Sequence, residues 1–129
     1  MGTWDVDGQS RPGILMLRLE GTLAAHEMAE FVRAHNAAID AFRGADYRVF
    51  CDLRHMRPLS PDAAAILEQA KTYSSSRPNF RGSAVLVASK IIALQHQRTS
   101  VSGGVMSTEL ISEDEAACWD HLARVRRSR

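Results

Sequence analysis

Three side chains able to carry positive charge, Arg54, His55 and Arg57, lie on one short stretch that follows an apolar, strand-like segment. Guanidinium and protonated imidazole groups bind anions, and so do the free N–H groups at the start of a helix. Such a helix start follows at Ser60 and Asp62. Loops at the carboxyl ends of strands are where binding sites concentrate in α/β proteins. These five residues are therefore a candidate contact site for an anion, a phosphorylated group or a protein partner.

The helix start at Ser60 also has a purely structural interpretation. Ser60 is typical of an N-cap, and Pro61 suits the first helical position because its missing N–H is not needed there. The carboxylate of Asp62 favours the positive end of the helix dipole. Under this alternative the neighbouring arginines are simply solvated. The residues alone leave the structural interpretation and the anion site both open.

No pattern in the sequence is typical of catalysis or of metal binding. The sequence has no Gly-x-Ser-x-Gly elbow, no Gly-x-x-x-x-Gly-Lys phosphate loop and no Gly-x-Gly-x-x-Gly dinucleotide turn. No two histidines stand three or four residues apart, the spacing that would place both on one helix face. The histidines are His26, His35, His55, His96 and His121. We therefore predict no metal, no cofactor and no enzymatic activity.

Length, composition and charge predict one domain spanning residues 1–129. The chain has 129 residues and 45% apolar residues, and a chain of this length buries about two-thirds of its unfolded surface on folding. The formal net charge is only +1. Nucleic-acid binders usually carry a clear basic excess, so we expect no nucleic-acid partner.

The expected location of the protein is the cytoplasm. The first residues do not resemble a signal peptide, and no apolar run approaches the roughly 20 residues of a membrane span. We therefore expect a soluble protein without a transmembrane segment. Cys51 and Cys118 belong to no Cys-x-x-Cys or Cys/His cluster, so both are predicted to be buried, reduced thiols.

Four arginines close the sequence, and they have two interpretations. Basic side chains at the end of a helix complement its dipole, whereas a basic tail could also contact nucleic acid or a lipid headgroup. Since no aromatic platform accompanies them in the sequence, we interpret them as dipole complementarity. They are Arg124, Arg126, Arg127 and Arg129.

The hydrophobic periodicity alternates in the order β-β-α-β-α-β-α-β-α. This order predicts an α/β fold with a central mixed sheet of four to five strands flanked by about four helices. The predicted strands cover residues 4–6, 14–19, 47–53, 84–88 and 105–111. The predicted helices start at Thr22, Ser60, Ser89 and Ser112, the last with a capping box to Glu115. The third helix is expected to be short, with Gly103 and Gly104 as a flexible connector.

The predicted helices should each bury an apolar face against the sheet. The first helix carries Met28, Phe31, Val32, Ile39 and Phe42 on one side, with His35 as a partly buried, hydrogen-bonded imidazole. The inner face of the second helix is predicted to be Ala63, Ile66, Leu67, Ala70 and Tyr73. The last helix should bury Ala116, Trp119 and Leu122.

Three segments resemble the STAS superfamily, the sulfate-transporter and anti-sigma-factor-antagonist domain. They are residues 49–64 (VFCDLRHMRPLSPDAA), 84–87 (AVLV) and 112–119 (SEDEAACW). Within this superfamily the chain is most similar to the SpoIIAA-like branch of small stand-alone bacterial proteins, also described as STAS/SEC14-like. With the matching order of elements, the resemblance spans residues 14–122 and implies a SpoIIAA-like fold.

The resemblance implies a non-enzymatic regulatory or protein-interaction module with a protein partner. In the anti-sigma-factor antagonists, an Asp-Ser pair opens the helix after an Asp-Leu strand, and a partner kinase phosphorylates that serine. Aligning Asp52 and Leu53 with the Asp-Leu pair places Ser60 at the acidic position and Pro61 at the phosphoacceptor. Proline cannot be phosphorylated, so this alignment does not retain the kinase switch; Ser60 would serve only if the register slipped by one residue.

Two further expectations concern what the chain binds. The SEC14-related branch implies an alternative function, a small carrier that holds a lipid or other apolar ligand between helices. Met28, Phe31 and Phe42 would then line a pocket, although such residues also form ordinary cores. A homodimer is a further expectation, because two-fold dimers are the commonest closed assemblies.

Overall fold

The structure, a computed structural model, describes residues 2–126 as one five-stranded sheet with four α-helices. The strands are β1 (Thr3–Asp7), β2 (Ile14–Glu20), β3 (Tyr47–Asp52), β4 (Phe80–Leu86) and β5 (Glu109–Ser112). The helices are α1 (Ala25–Asp40), α2 (Pro61–Ser75), α3 (Lys90–Gly103) and α4 (Glu115–Arg124). The predicted fold class is confirmed.

The sheet is mixed and its strands follow the order of the chain. β1 and β2 form an antiparallel hairpin, and β2, β3, β4 and β5 are parallel to one another. Helices connect the parallel strands, as crossover connections require. All four parallel strands therefore end at the same edge of the sheet, and the loop between β3 and α2 lies at that edge.

The sheet separates two apolar layers because successive side chains of a strand point to opposite faces. Val49 and Cys51 of β3 pack into the larger layer with α1, α2 and α3. Phe50 points the other way and packs with Cys118 and Leu122 of α4. Both faces of the central strands are therefore covered, which explains why their sequences are apolar without strict alternation.

The apolar faces predicted for α1 and α2 are each confirmed in part. Met28, Phe31, Val32 and Ile39 are buried, and so is His35, which bonds to Asn36. Phe42 lies beyond the end of α1 and is half-buried against the same layer. On α2 the fully buried residues are Ala63, Leu67, Ala70 and Ser74. Ile66 and Tyr73 are half-buried against the same layer.

The strand predicted for residues 105–111 is wrong at its start, because β5 begins only at Glu109. Gly104 ends α3 with a φ of 83°, a left-handed conformation that glycine adopts without strain. Val105 then turns into the core, where it is buried, and a short 3-10 helix covers Met106–Thr108. The residues whose β-branched and apolar side chains predicted a strand therefore form a buried turn residue, Val105, and a short 3-10 helix.

Two of the four helix starts agree with the sequence and two do not. The hydroxyls of Ser60 and Ser89 accept hydrogen bonds from the backbone of α2 and α3, as N-caps do. The N-cap of α1, however, is Ala24 and not Thr22. The carboxylate of Glu27 accepts the N–H of Ala24 at 2.9 Å, so this helix start has the acidic half of a capping box but no capping hydroxyl.

The start of α4 also differs from the prediction. Instead of a capping box between Ser112 and Glu115, Asp114 is the N-cap, and its carboxylate accepts the N–H of Ala116 at 3.0 Å. The helix also begins later than predicted. Of its predicted apolar face, Leu122 is buried and Trp119 is half-buried, but Ala116 is exposed and Cys118 is fully buried in its place.

Residues 80–103 form longer elements than the sequence predicted. β4 begins at Phe80 and is buried at every position, whereas the prediction began at residue 84. α3 runs for 14 residues to Gly103, so it is not short. Gly103 is not a flexible connector either, because it is buried where α3 packs on α2, and a Cβ atom there would lie 2.2 Å from the Cβ atom of Lys71.

Replacing Gly103 with alanine is expected to destabilise the protein by about 1–3 kcal/mol. The added methyl group would force α2 and α3 apart, and this cost exceeds the gain of less than about 1 kcal/mol from alanine's better helix propensity. The matched control is Ser102→Ala, which is exposed on the same helix. Urea unfolding measures both variants, and equal stability of the two would contradict the close packing.

The two cysteines are buried and free, as predicted. Burial raises the pKa of the Cys51 thiol to about 12 and that of the Cys118 thiol to about 11. Both thiols are therefore protonated and unreactive at neutral pH. Across residues 2–126, no helix is long and apolar enough to cross a membrane.

Candidate functional site

The loop that carries the candidate site is held firmly at the carboxyl edge of the sheet. Gly21, just after β2, donates its N–H to the carbonyl of His55 at 2.8 Å and accepts the N–H of Arg57 at 2.9 Å. The side-chain amide of Gln95 on α3 bonds to both the N–H and the carbonyl of Leu59, each at 2.8 Å. Hydrogen bonds therefore anchor the loop to the end of β2 on one side and to α3 on the other.

Arg54 is committed to acidic partners within the protein. Its Nε and Nη2 atoms donate to the two carboxylate oxygens of Asp52 at 3.1 and 2.8 Å, and its Nη1 atom lies 3.8 Å from Glu115. Although partial burial of Asp52 opposes ionisation, the hydrogen bonds and charge of Arg54 hold the pKa of that carboxyl below its ordinary value. Arg54 therefore shapes the loop more than it offers a free charge.

The other predicted site residues lie on the exposed side of the same loop. The structure brings together His55, Arg57, Ser60 and Asp62, all of them exposed. Within residues 2–126, no carboxylate lies within salt-bridge distance of the Arg57 guanidinium. The Ser60 hydroxyl accepts the N–H of Ala63 at 3.2 Å, so its role as an N-cap is confirmed.

An apolar side chain on α3 extends this surface. Ile91 and Leu94 are 68% and 59% exposed, unusually open for large apolar residues. Ile91 lies one helical turn before Gln95 on the same face, whereas Leu94 lines a separate groove with Met106 and Ile111. Since Gln95 is bonded to Leu59, Ile91 is on the helix face next to the loop. We call Arg57, Ser60 and Ile91 the docking surface.

A second group of functional side chains is buried between α2, α3 and the sheet. The ammonium group of Lys71 donates to a Glu109 carboxylate oxygen at 2.8 Å and to the Ser100 hydroxyl at 2.9 Å, and it contacts Nε2 of His96. The Ser83 hydroxyl donates to the same Glu109 oxygen at 3.0 Å, and the Ser100 hydroxyl donates to the other. We call these five residues the polar cluster.

The charge states of the polar cluster follow from its burial and its contacts. Burial opposes ionisation of Glu109, but the charge of Lys71 and the hydrogen bonds from Lys71 and Ser100 outweigh it and lower the pKa of the carboxyl. Burial together with the charge of Lys71 lowers the pKa of His96 to about 3. The cluster is therefore an ion pair with a neutral imidazole at neutral pH.

Four residues of the polar cluster, Lys71, Ser83, His96 and Glu109, line a small cavity. Its volume is about 40 Å³, and Cys51 and His35 also line it. That volume is enough for at least one water molecule, whereas sites for drug-sized ligands measure roughly 300–1,000 Å³. Among residues 2–126, no group of three or more His, Cys, Asp or Glu side chains is placed to hold a metal ion.

The backbone has a close match among solved structures. It aligns with the crystal structure of an uncharacterised DUF3478-family protein from Shewanella loihica, described as having a SpoIIAA-like fold, with a TM-score of 0.65 over 92% of this chain and 91% of that chain. This chain has a SpoIIAA-like fold. The sequence identity of the pair is only 15%. No protein-family model and no curated protein matches the sequence.

Within this SpoIIAA-like fold, the sequence located the candidate loop but not its apolar neighbours. The missing signal was in α3, where Ile91, Ile92 and Leu94 occupy too wide an arc of the helix to face one core. Ile92 takes the buried position and the other two remain outside. The polar cluster was also missed, because it joins residues from four elements that are far apart in the sequence.

Proposed function

We propose that this chain is a non-enzymatic regulatory module that binds a protein partner through the docking surface. One observation carries the proposal: the two hydrogen bonds between Gln95 and Leu59 fix the polar loop next to the helix face that carries the exposed side chain of Ile91. Protein interfaces typically combine an apolar centre with a polar rim. Arg57 and Ser60 supply the polar part of that combination.

The residues of the loop have different roles in this proposal. Arg57 contacts the partner, because its guanidinium is exposed and has no carboxylate partner in the described part of the chain. Arg54 shapes the loop through Asp52. Pro61 replaces the phosphoacceptor serine of the anti-sigma-factor antagonists that the chain resembles. Binding is therefore expected to be regulated by something other than phosphorylation at that position.

The alternative function, a carrier of a lipid or other apolar molecule, has less support. The cavity inside the helical layer measures about 40 Å³ and is lined by charged as well as apolar groups. Of the residues expected to line a pocket, Phe31 lines this cavity and Phe42 lines an open surface groove, whereas Met28 is fully buried in the core. A carrier would need a cavity roughly ten times larger for a ligand of ordinary size.

Affinity capture tests the docking surface. The tagged protein retains partners from a lysate of its own host, and native mass spectrometry of the eluate reports bound proteins, bound small molecules and self-association together. We expect Ile91→Ser and Arg57→Ala each to reduce the amount of the retained protein about tenfold or more, because few interface residues carry most of the binding energy.

The controls are matched in chemistry and in position. Val101→Ser changes another exposed apolar residue of α3, and Arg33→Ala changes an exposed arginine of α1. Both should retain the partner as the unchanged protein does. Equal retention by all four variants would show that the docking surface is wrong, and an apolar molecule co-eluting in place of a protein would favour the carrier.

A further inference from the structure

Three arginines converge at the edge of the sheet opposite the docking surface. Arg11 lies in the turn between β1 and β2, Arg48 lies near the start of β3, and Arg126 follows α4. Together with Trp119 they line an open pocket of about 300 Å³. We call these four residues the arginine pocket.

The arginine pocket is strongly positive. Its remaining lining residues are apolar, so the described part of the chain contributes three cations and no acid to its walls. The acid whose charge acts on Arg48 is Asp46, and that carboxylate lies 3.1 Å from Nε of Arg81. Partial burial and the charge of Arg126 lower the pKa of the Arg48 guanidinium despite Asp46. Among residues 2–126, the walls of the pocket therefore concentrate positive charge without a carboxylate counter-ion.

Contacts within the protein occupy only part of the donors in this pocket. Arg48 donates through Nη2 to the carbonyl of Val125 at 3.1 Å, and Arg126 donates to the same carbonyl at 2.9 Å. These bonds complement the end of α4. The Nε atom of Arg48 is nevertheless buried without a hydrogen-bond partner among residues 2–126. The described part of the chain therefore leaves the hydrogen-bonding capacity of the Arg48 guanidinium incompletely used.

An aromatic stack fixes the position of Arg11. The ring of Trp119 stacks on Phe50 with their centroids 4.4 Å apart and their planes 4° from parallel. The guanidinium carbon of Arg11 lies 4.2 Å from the centre of the Trp119 ring, and since Phe50 covers one face, Arg11 covers the other. The stack holds an exposed arginine in place beside the pocket.

We propose that the arginine pocket binds a phosphate group. Guanidinium groups donate paired hydrogen bonds that match phosphate oxygens, and three cations suit a doubly charged anion better than a single carboxylate. The phosphate can belong to a small phosphorylated molecule or to a lipid headgroup, since both present the same oxygens. The site is separate from the docking surface, so phosphate binding here and partner binding there can be tested independently of each other.

An NMR titration of the isotope-labelled protein with inorganic phosphate tests the site directly. Sodium chloride keeps the ionic strength constant throughout. We expect saturable shifts of the backbone amide signals around Ile14 and Arg48 and of the Trp119 indole signal. Arg11→Ala and Arg48→Met should each weaken binding about tenfold or more, whereas Arg33→Ala, on exposed α1 surface, should not change it.

Vesicle co-sedimentation distinguishes the two sources of phosphate. The probes are phosphatidylcholine vesicles with and without phosphatidic acid. Retention that requires phosphatidic acid, Arg11 and Arg48 supports the lipid headgroup, and saturable phosphate binding without retention supports a small phosphorylated molecule. Binding to neither probe overturns the proposal, and so does binding that Arg11→Ala and Arg48→Met leave unchanged. Because Arg11 is exposed, Arg11→Ala is expected to fold.

Discussion

Replacing Lys71 with methionine is expected to destabilise the protein by about 3 kcal/mol at pH 7. The substitution keeps the length of the side chain but removes the cation that faces Glu109, whose side chain is only 2% exposed. The Glu109 carboxyl, left without its cation, then binds a proton and becomes neutral. From an ordinary pKa of 4.5, that protonation costs about 3 kcal/mol at pH 7, at about 1.4 kcal/mol per pH unit. Breaking a buried ion pair typically costs about as much.

Two measurements separate this electrostatic cost from a loss of packing. The penalty of Lys71→Met relative to the unchanged protein should shrink to about 1 kcal/mol near pH 5, because protonation of the carboxyl is cheap there. The double variant Lys71→Met/Glu109→Gln should be clearly more stable at pH 7 than the single one, since it leaves no buried charge. Urea unfolding measures both, and a penalty that is independent of pH and additive in the double variant would contradict the ion pair.

Acid is expected to begin destabilising the protein above the pH range in which carboxylates titrate. Burial lowers the pKa of His35 to about 4 and that of His96 to about 3, from an ordinary value of 6.5. Below pH 6.5 the unfolded chain therefore binds two protons that the folded chain does not. Stability is complete above pH 6.5 and falls by up to about 3 kcal/mol per pH unit as the pH drops toward 4. The lowered pKa of Glu109 adds to this loss only below about pH 4.5.

Unfolding midpoints between pH 7.5 and pH 4.5 check this dependence. His35→Met removes one of the two titrating groups from α1, so we expect the slope to fall to about half. His26→Gln changes an exposed histidine of the same helix and should leave the slope unchanged. The interpretation fails if midpoints at pH 7.5 and pH 5 coincide, or if His35→Met keeps the full slope.

The parts of the fold that depend on local sequence were predictable. The apolar stripe of α1 follows from spacing alone, and Ser60 and Ser89 cap their helices because a hydroxyl needs only the next turn of backbone. The start of β5 was not predictable. A left-handed turn at Gly104 places Val105 in the core, and strand propensity carries no information about such a turn.

The candidate site, too, was predictable where it depends on local sequence and not where it depends on contacts between distant segments. The sequence placed the loop from Arg54 to Ser60 at the edge of the sheet, since a strand and a helix start bracket it. It could not place Ile91 beside that loop, because the contact depends on Gln95, which lies 36 residues from Leu59. Lys71 of the polar cluster stands next to Ala70 on the buried side of α2, which was a usable signal, but its partner Glu109 lies 38 residues away.

The pairing of Gln95 with Leu59 has a consequence for the entropy of association. A loop that is free in the unbound state must lose backbone freedom when a partner arrives, at a cost of about 1–2 kcal/mol per residue. Here the amide of Gln95 satisfies both backbone groups of Leu59 in advance, and on the other side Gly21 bonds to the carbonyl of His55 and the N–H of Arg57. The backbone entropy of the loop is therefore lost during folding and not on association, so the docking surface binds its partner as a preformed shape.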